Sequence, residues 1–247
     1  MYIFCVFKNK LEYVMSFYCL DFDGVLCNSI KECLLCGVNA YYNKSYRYLN
    51  EIDRQLAEFF YAHRYLVRPA EEMLLIFKGY DMGMSSISLQ EFDMMKTENK
   101  NEIKQFADPF YSQRELLKKD LPFWLSLNAL YPQTQSFINA KNPFYVVSNK
   151  DYDSIKVIAS HFGYESLIVN IYSRELALNK RDLFSIFFEK EHVNPINQRI
   201  VFVDDQEAHL LTLTGLGIEL CHADWGYNKG TDSQNIKTIS DLSEIVK

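Results

Sequence analysis

The run Asp21-Phe22-Asp23-Gly24-Val25-Leu26 puts two carboxylates two positions apart, directly after the apolar stretch Ser16–Leu20. A carboxylate can attack phosphorus and form an acyl-phosphate that water then hydrolyses. A second carboxyl beside it can protonate the departing oxygen and later take a proton from the water. Both would repel a phosphate dianion, so the pair calls for a hard cation with oxygen ligands, and Mg2+ suits that task. Gly24 permits the sharp turn that such a loop needs. The same string also reads as an Asx-type turn that caps a following helix. Its place at the end of an apolar run favours the chemical reading.

Two further apolar, β-rich runs stop at polar residues. Phe144–Val147 ends at Ser148-Asn149-Lys150, and residues 199–203 end at Asp204-Asp205. Continuous runs of this kind suit strands of a parallel sheet buried on both faces. Weaker strands are expected over 166–169 and 218–221, and helices over 151–162, 180–191 and 206–216. Alternating strand and helix predicts an α/β fold, a Rossmann-like open parallel sheet with right-handed crossovers. Ligands of such sheets bind outside the carboxyl ends of the strands, so the three polar strand ends would converge on one crevice.

Residues 28–132 have a different character. Tyr, Phe, Leu, Glu and Lys recur there at helical spacing, as over 48–65, 71–78 and 109–119, and no run resembles a buried parallel strand. The predicted division is a catalytic core of residues 1–27 and 133–247 and a helical cap domain over 28–132. The cap is inserted after the first strand, with hinges near 27–30 and 127–133.

With these segments in place, the chain resembles the haloacid dehalogenase superfamily over nearly its whole length. Four motifs carry the resemblance, in order. They are the Asp21-Phe22-Asp23-Gly24 loop, the strand ending in Ser148-Asn149, a lysine at a helix start, best matched by Lys180 in Asn179-Lys180-Arg181, and the strand ending in Asp204-Asp205. Leu130-Tyr131-Pro132, Gly217-Ile218 and Ala223-Asp224-Trp225-Gly226-Tyr227 add local similarity, the last to phosphoglycolate-phosphatase-like members.

The resemblance implies a magnesium-dependent phosphoric monoester hydrolase with a mobile cap that selects the leaving group. It implies Asp21 as nucleophile and metal ligand, and Asp23 as general acid/base and metal ligand through its carbonyl. Ser148 and the backbone around Asn149 would hold the phosphoryl group, Lys180 would offset its charge, and Asp205 with Asp204 would complete the Mg2+ shell. Plainer readings stand beside each: Ser148 as a strand-end cap, Lys180 as a solvated helix-end lysine, Asp204 and Asp205 as helix-capping acids. Many relatives carry a further Asp four residues after the metal-binding Asp of the last motif, where this chain has His209. That histidine would orient a water, bond Asp205 or fill space, the last being the plainest. Arg64, Arg68 and Arg114 are candidates to face the site from the cap, against a plainer role in surface salt bridges.

Composition bounds the partners. Lys and Arg number 26 against 32 Asp and Glu, a net charge of -6, which argues against a broad nucleic-acid surface. Residues 2–7 are apolar but far too short to span a bilayer, and they lack the features of a secretory signal. Met15 just precedes the first strong strand signal, so residues 1–14 read as an extension from an upstream start codon. Of six cysteines, only Cys33 and Cys36 have a metal-like spacing, and no second pair completes a zinc site. Reduced, buried cysteines and a cytoplasmic location are expected. The expected partner is a small phosphorylated metabolite, with no nucleic acid and no membrane, and the protein a monomer or homodimer. Three rivals stand beside the phosphatase. One is a phosphomutase or other phosphoryl transferase on the same core. Another is a dehalogenase, which needs no metal and usually lacks the second carboxylate, and the last is a non-catalytic binding protein on this fold.

Overall fold

A computed structural model describes residues 16–231 and 233–246. The readings made for residues 1–14, Cys5 among them, lie outside the described residues. The chain opens with β1 (Ser16–Leu20) and the short β2 (Cys27–Asn28). Six helices follow: α1 (Ile30–Tyr41), α2 (Arg54–His63), α3 (Met73–Asp81), α4 (Leu89–Glu98), α5 (Lys100–Lys118) and α6 (Leu121–Ser126). It returns through β3 (Ala129–Leu130), α7 (Gln135–Asn139), β4 (Phe144–Val147), α8 (Tyr152–His161), β5 (Ile168–Tyr172) and α9 (Lys180–Lys190). It ends with β6 (Arg199–Asp204), α10 (Glu207–Leu211), β7 (Glu219–Ala223) and β8 (Lys237–Ile239).

Six strands form one parallel sheet in the order β5-β4-β1-β6-β7-β8. Side chains alternate between its faces, as the two-residue period of a strand requires. Leu20, Val146, Val201 and Val203 pack with Ile155 and Ile158 of α8 and with Phe137 of α7. Their neighbours Cys19, Val147, Ile200 and Phe202 pack with Leu183, Phe184 and Phe187 of α9 on the other face. Both faces are covered, which is why the strands read as unbroken apolar runs. Leu20 pairs with Val146 on one side and Val203 on the other. Asp21, Ser148 and Asp204 therefore leave the sheet at the same end.

The helices of the inserted segment share an apolar cluster of their own, built on Cys36, Phe60, Met73, Phe77, Phe92 and Phe110. The chain leaves the sheet through β2 and returns through β3, and the two pair antiparallel, Cys27 with Leu130 and Asn28 with Ala129. This ribbon ties the two connections together where the sequence places hinges.

Several elements differ from expectation. The helix expected over 48–65 breaks into a 3-10 turn at Leu49–Glu51 and α2, because Asp53 accepts a hydrogen bond from the Leu56 N–H at 2.9 Å and caps a new helix. The helix read over 109–119 begins at Lys100 instead and carries Pro109 inside it. The strand expected over 166–169 starts later, since a 3-10 turn occupies Glu165–Leu167. The helix expected over 206–216 ends at Leu211, ahead of two glycines at positive φ, Gly215 and Gly217. Among the described residues no helix is long and apolar enough to cross a membrane.

Candidate active site

Asp21 directly follows β1, and its N–H donates to the Val203 carbonyl at 2.9 Å. One carboxylate oxygen, Oδ1, accepts from the Phe22 N–H at 2.7 Å and lies 2.9 Å from Lys180 Nζ. The other, Oδ2, takes no hydrogen bond from any described residue. Lys180 is the first residue of α9, where Asn179 caps the helix by accepting from the Asp182 N–H. Its side chain is buried and runs down to the strand ends, donating to the Val147 carbonyl at 2.7 Å and approaching Asp204 at 3.3 Å. The solvated reading of Lys180 is therefore corrected. Asp204 also meets His209 Nδ1 at 3.1 Å, from α10, and accepts from the Gln206 N–H at 2.8 Å. His209 thus bonds Asp204, where the sequence reading offered orienting a water, bonding Asp205 or filling space.

Asp23 faces a second cation. Its carboxylate accepts from Ser29 Oγ at 2.6 Å and from Lys150 Nζ at 3.1 and 3.3 Å. Lys150 follows Ser148-Asn149 and is buried, with Glu32 of α1 at 4.0 Å. Glu32 in turn takes two bonds from Arg114 of α5, at 2.6 and 3.1 Å, and Arg114 reaches Asp151 at 3.2 Å. Arg114 is buried and joined to the buried Glu32 and the half-buried Asp151, and Arg64 is buried as well, which corrects the surface reading of both. Ser148 Oγ accepts from the Lys150 N–H at 3.2 Å, leaving its own proton free to donate, and the buried Asn149 Oδ1 has no partner.

Asp205 is held by tight backbone packing. A Cβ at Gly24, whose φ is +87°, would collide with the Asp205 carboxylate, and one at Gly226 would collide with Asp205 and the Gly24 carbonyl. Only glycine fits either position. The Asp205 Oδ2 accepts from the Tyr227 N–H at 2.5 Å, and the Asp205 carbonyl lies 3.1 Å from His222 Nε2.

The charges in this end of the sheet do not balance locally. Burial raises the Asp21 carboxyl to about 6; Lys180 opposes the rise and Asp204 adds to it. Asp205 is pushed well up by burial, then by Asp204 and Asp21. Asp204 goes the other way: burial would raise it, but His209 and Lys180 outweigh burial and hold it below the usual carboxylate range. The same acids raise Lys180 against its own burial.

No protein-family model matches the sequence, and no curated protein matches it either. Solved structures do match in fold. A haloacid dehalogenase-like family hydrolase from Streptococcus pneumoniae superposes with a TM-score of 0.60 at 16% identity, over 91% of this chain and 93% of that one. A protein from Haemophilus somnus described as a predicted phosphoglycolate phosphatase gives 0.62 at 16% identity, over 94% and 96%. The chain has the haloacid-dehalogenase-like fold. Protein Tyrosine Kinase A from Mycobacterium tuberculosis shares it too, with a TM-score of 0.59 at 16% identity over 94% and 96%. The haloacid-dehalogenase-like fold alone therefore does not fix the reaction, and the site must carry that argument.

Within this haloacid-dehalogenase-like fold, Asp21, Lys180, Asp204 and His209 form one group at the strand ends, and Asp23, Lys150 and Ser29 form another beside it. Asp205 stands slightly apart, turned to Tyr227. Asp21, Asp204 and His209 bring ligand atoms within 4.8 Å of one another. Three buried carboxylates against one lysine and one histidine, two of them raised by burial and mutual repulsion, are a donor set that fits a hard divalent cation. One cleft is lined by Asp21, Asp23, Ser148, Asn149, Asp205 and His209, and Arg64, Arg68 and Arg114 reach it from the helical layer. Lys150, Gly226 and Tyr227 were not singled out for roles from sequence. In the sequence the loop that contains Gly226 and Tyr227 carries only a similarity, and the Ser148-Asn149-Lys150 run holds the signal for Lys150.

Proposed function

We propose that the protein hydrolyses a small-molecule phosphate monoester through an aspartyl-phosphate on Asp21, with Mg2+ bound by Asp21, the Asp23 carbonyl and Asp205, and Asp204 beside them. The observation that carries this reading is the asymmetry of Asp21: one oxygen is fixed by the Phe22 N–H and Lys180, and the other is left for attack. Asp21 Oδ2 attacks phosphorus, and the ester oxygen departs with a proton supplied by Asp23. Water then attacks the acyl-phosphate, Asp23 takes its proton, and inorganic phosphate leaves with the Asp21 carboxylate restored. Ser148, the backbone around Asn149 and Lys180 hold the phosphoryl oxygens, in the manner of fixed donors aimed at developing charge. The metal, when bound, supplies positive charge that lets two carboxylates face a phosphate dianion.

The solved structures described as a hydrolase and a predicted phosphoglycolate phosphatase support the same reading. The helical cap domain over 28–132 is the part we assign to leaving-group choice, and the core of 1–27 and 133–247 to the chemistry. Five free, buried cysteines among the described residues support a reducing, cytoplasmic setting. Release of phosphate from an aryl phosphate, measured with Mg2+ and after exhaustive chelation, tests the proposal. Turnover that stops on chelation and returns with Mg2+ is expected, and full activity in chelator rejects the metal-dependent mechanism.

A further inference from the structure

Away from the strand ends, the helical layer holds a cavity of about 310 Å³, within the size range of small-molecule sites. Tyr46 and Tyr48 reach it from the loop after α1, Leu116 and Leu117 from α5, and Phe123 from α6. None of these five lines the strand-end cleft. The loop is fixed before any ligand arrives. The buried Asn39 of α1 accepts from the Tyr46 N–H and donates to the Tyr46 carbonyl, both at 2.9 Å. One oxygen of the Glu51 carboxylate accepts from the N–H groups of Arg47 and Tyr48, each at 2.6 Å. The Tyr48 ring meets the Phe123 ring edge-on, with centroids 5.6 Å apart. A pocket held in this way loses little entropy on binding, so ring contact and burial turn into affinity. Tyr48 is still 57% exposed and Leu116 51% exposed, which leaves apolar surface at the cavity uncovered.

Two charges of opposite sign line the same cavity, Arg47 and Asp120. Arg47 forms no ion pair with any described acid and Asp120 none with any described cation, so the two do not neutralise each other. Asp120 caps α6 through Oδ1, which accepts from the Phe123 N–H at 3.4 Å, and its Oδ2 takes no hydrogen bond from any described residue. A neutral apolar ligand would leave both charges unanswered. An anion or a cation alone would meet one of them and be repelled by the other. A zwitterion satisfies both, with a carboxylate on the arginine fork and an ammonium on the carboxylate. The rings and leucines then select an aromatic side chain. We infer that this cavity is a binding site for a free aromatic α-amino acid, separate from the catalytic cleft, with Arg47 on the carboxylate, Asp120 on the ammonium and the side chain against Tyr46, Tyr48 and Phe123. The site stands independently of the phosphatase reading.

Calorimetric titration of the wild-type protein with L-phenylalanine, 3-phenylpropionate, phenethylamine and glycine separates the ring from the two charges. L-Phenylalanine should saturate with a Kd of about 1 mM or tighter, the scale that a ligand of about twelve non-hydrogen atoms supports. The two ligands that keep the ring and one charge should bind about 3- to 10-fold more weakly, between the range of exposed ion pairs and that of charge-assisted hydrogen bonds. Glycine, without a ring, should give no measurable binding. Arg47→Gln should weaken L-phenylalanine and 3-phenylpropionate by that same factor and leave phenethylamine unchanged. Asp120→Asn, which keeps the helix cap, should weaken L-phenylalanine and phenethylamine and leave 3-phenylpropionate unchanged. Absence of saturation by L-phenylalanine up to about 10 mM, glycine bound as tightly, or variants that weaken all ligands alike overturns the site. A wild-type dimer in sedimentation that Leu116→Asp dissociates assigns the face to a second copy and overturns it as well.

Discussion

Asp21 and Asp205 are raised above the ordinary carboxylate range by burial, while Asp204 is lowered by His209 and Lys180. A raised carboxylate favours the folded state when protonated, and that contribution is lost as pH rises through the folded value. With Asp21 at about 6 in the fold and about 3.9 in the unfolded chain, metal-free protein should gain stability between about pH 7 and pH 5, on the order of 1 kcal/mol. Asp204 works in the opposite sense, and its contribution disappears as pH falls below its unfolded value of about 4. Thermal melting across pH should therefore peak between these limits, and Mg2+ should flatten the slope above pH 5 by taking the place of the proton. A metal-free melting temperature that rises steadily from about pH 5 to pH 7 would contradict the assignment. Asp23 carries a different expectation. Asp23→Asn should lose most turnover on alkyl phosphates and much less on an aryl phosphate, whose oxygen leaves without a proton. Equal losses on both, with metal affinity unchanged, would count against its role as proton donor. At this scale Asp21, Ser148, Lys180, Asp204 and Asp205 were legible because each stands where an apolar run stops or a helix starts. The partnership of Lys150 with Asp23 was not, since it spans 127 residues and leaves no local pattern.

The elements are held to one another by charge as well as apolar contact. Arg114 of α5 binds Glu32 of α1 and Asp151 at the start of α8, so one side chain links two helices of the inserted segment to a helix packed on the sheet. Burial would raise Glu32, but Arg114 and Lys150 outweigh it and hold its carboxyl low. Removing one partner of such a group leaves an uncompensated charge, so Arg114→Met should cost about 3–5 kcal/mol in urea unfolding. Adding Glu32→Gln should return a substantial part of that loss. A double variant no more stable than the single one would show that Arg114 acts through packing alone. The strands β1, β4 and β6 were readable because both faces of the sheet are covered, and burial on both faces leaves an unbroken apolar run. β8 offered no such run, with only Ile239 of its three residues buried. α4 was equally silent, burying only Phe92.

Across the whole molecule, the parallel sheet brings Asp21, Ser148 and Asp204 to the carboxyl ends of its strands, and the inserted helices bring Arg64, Arg68 and Arg114 over them. At 16% identity the fold still superposes on solved structures over nine-tenths of the chain, although no family model matches. What persists at that distance is the placing of apolar runs and the polar residues that end them, which packing and chemistry both constrain. The surface of the helical layer is free of those constraints, so its sequence carries helical spacing and little else. Passage of the phosphoryl group through Asp21 is tested most directly by quenching turnover of an aryl phosphate with borohydride, which reduces an aspartyl-phosphate to homoserine, and reading position 21 by peptide mass spectrometry. Homoserine should appear at position 21 only when substrate and Mg2+ are both present, and not at all in Asp21→Asn. Sustained phosphate release with an unmodified Asp21, matched by undiminished release from a folded Asp21→Asn protein, would contradict it.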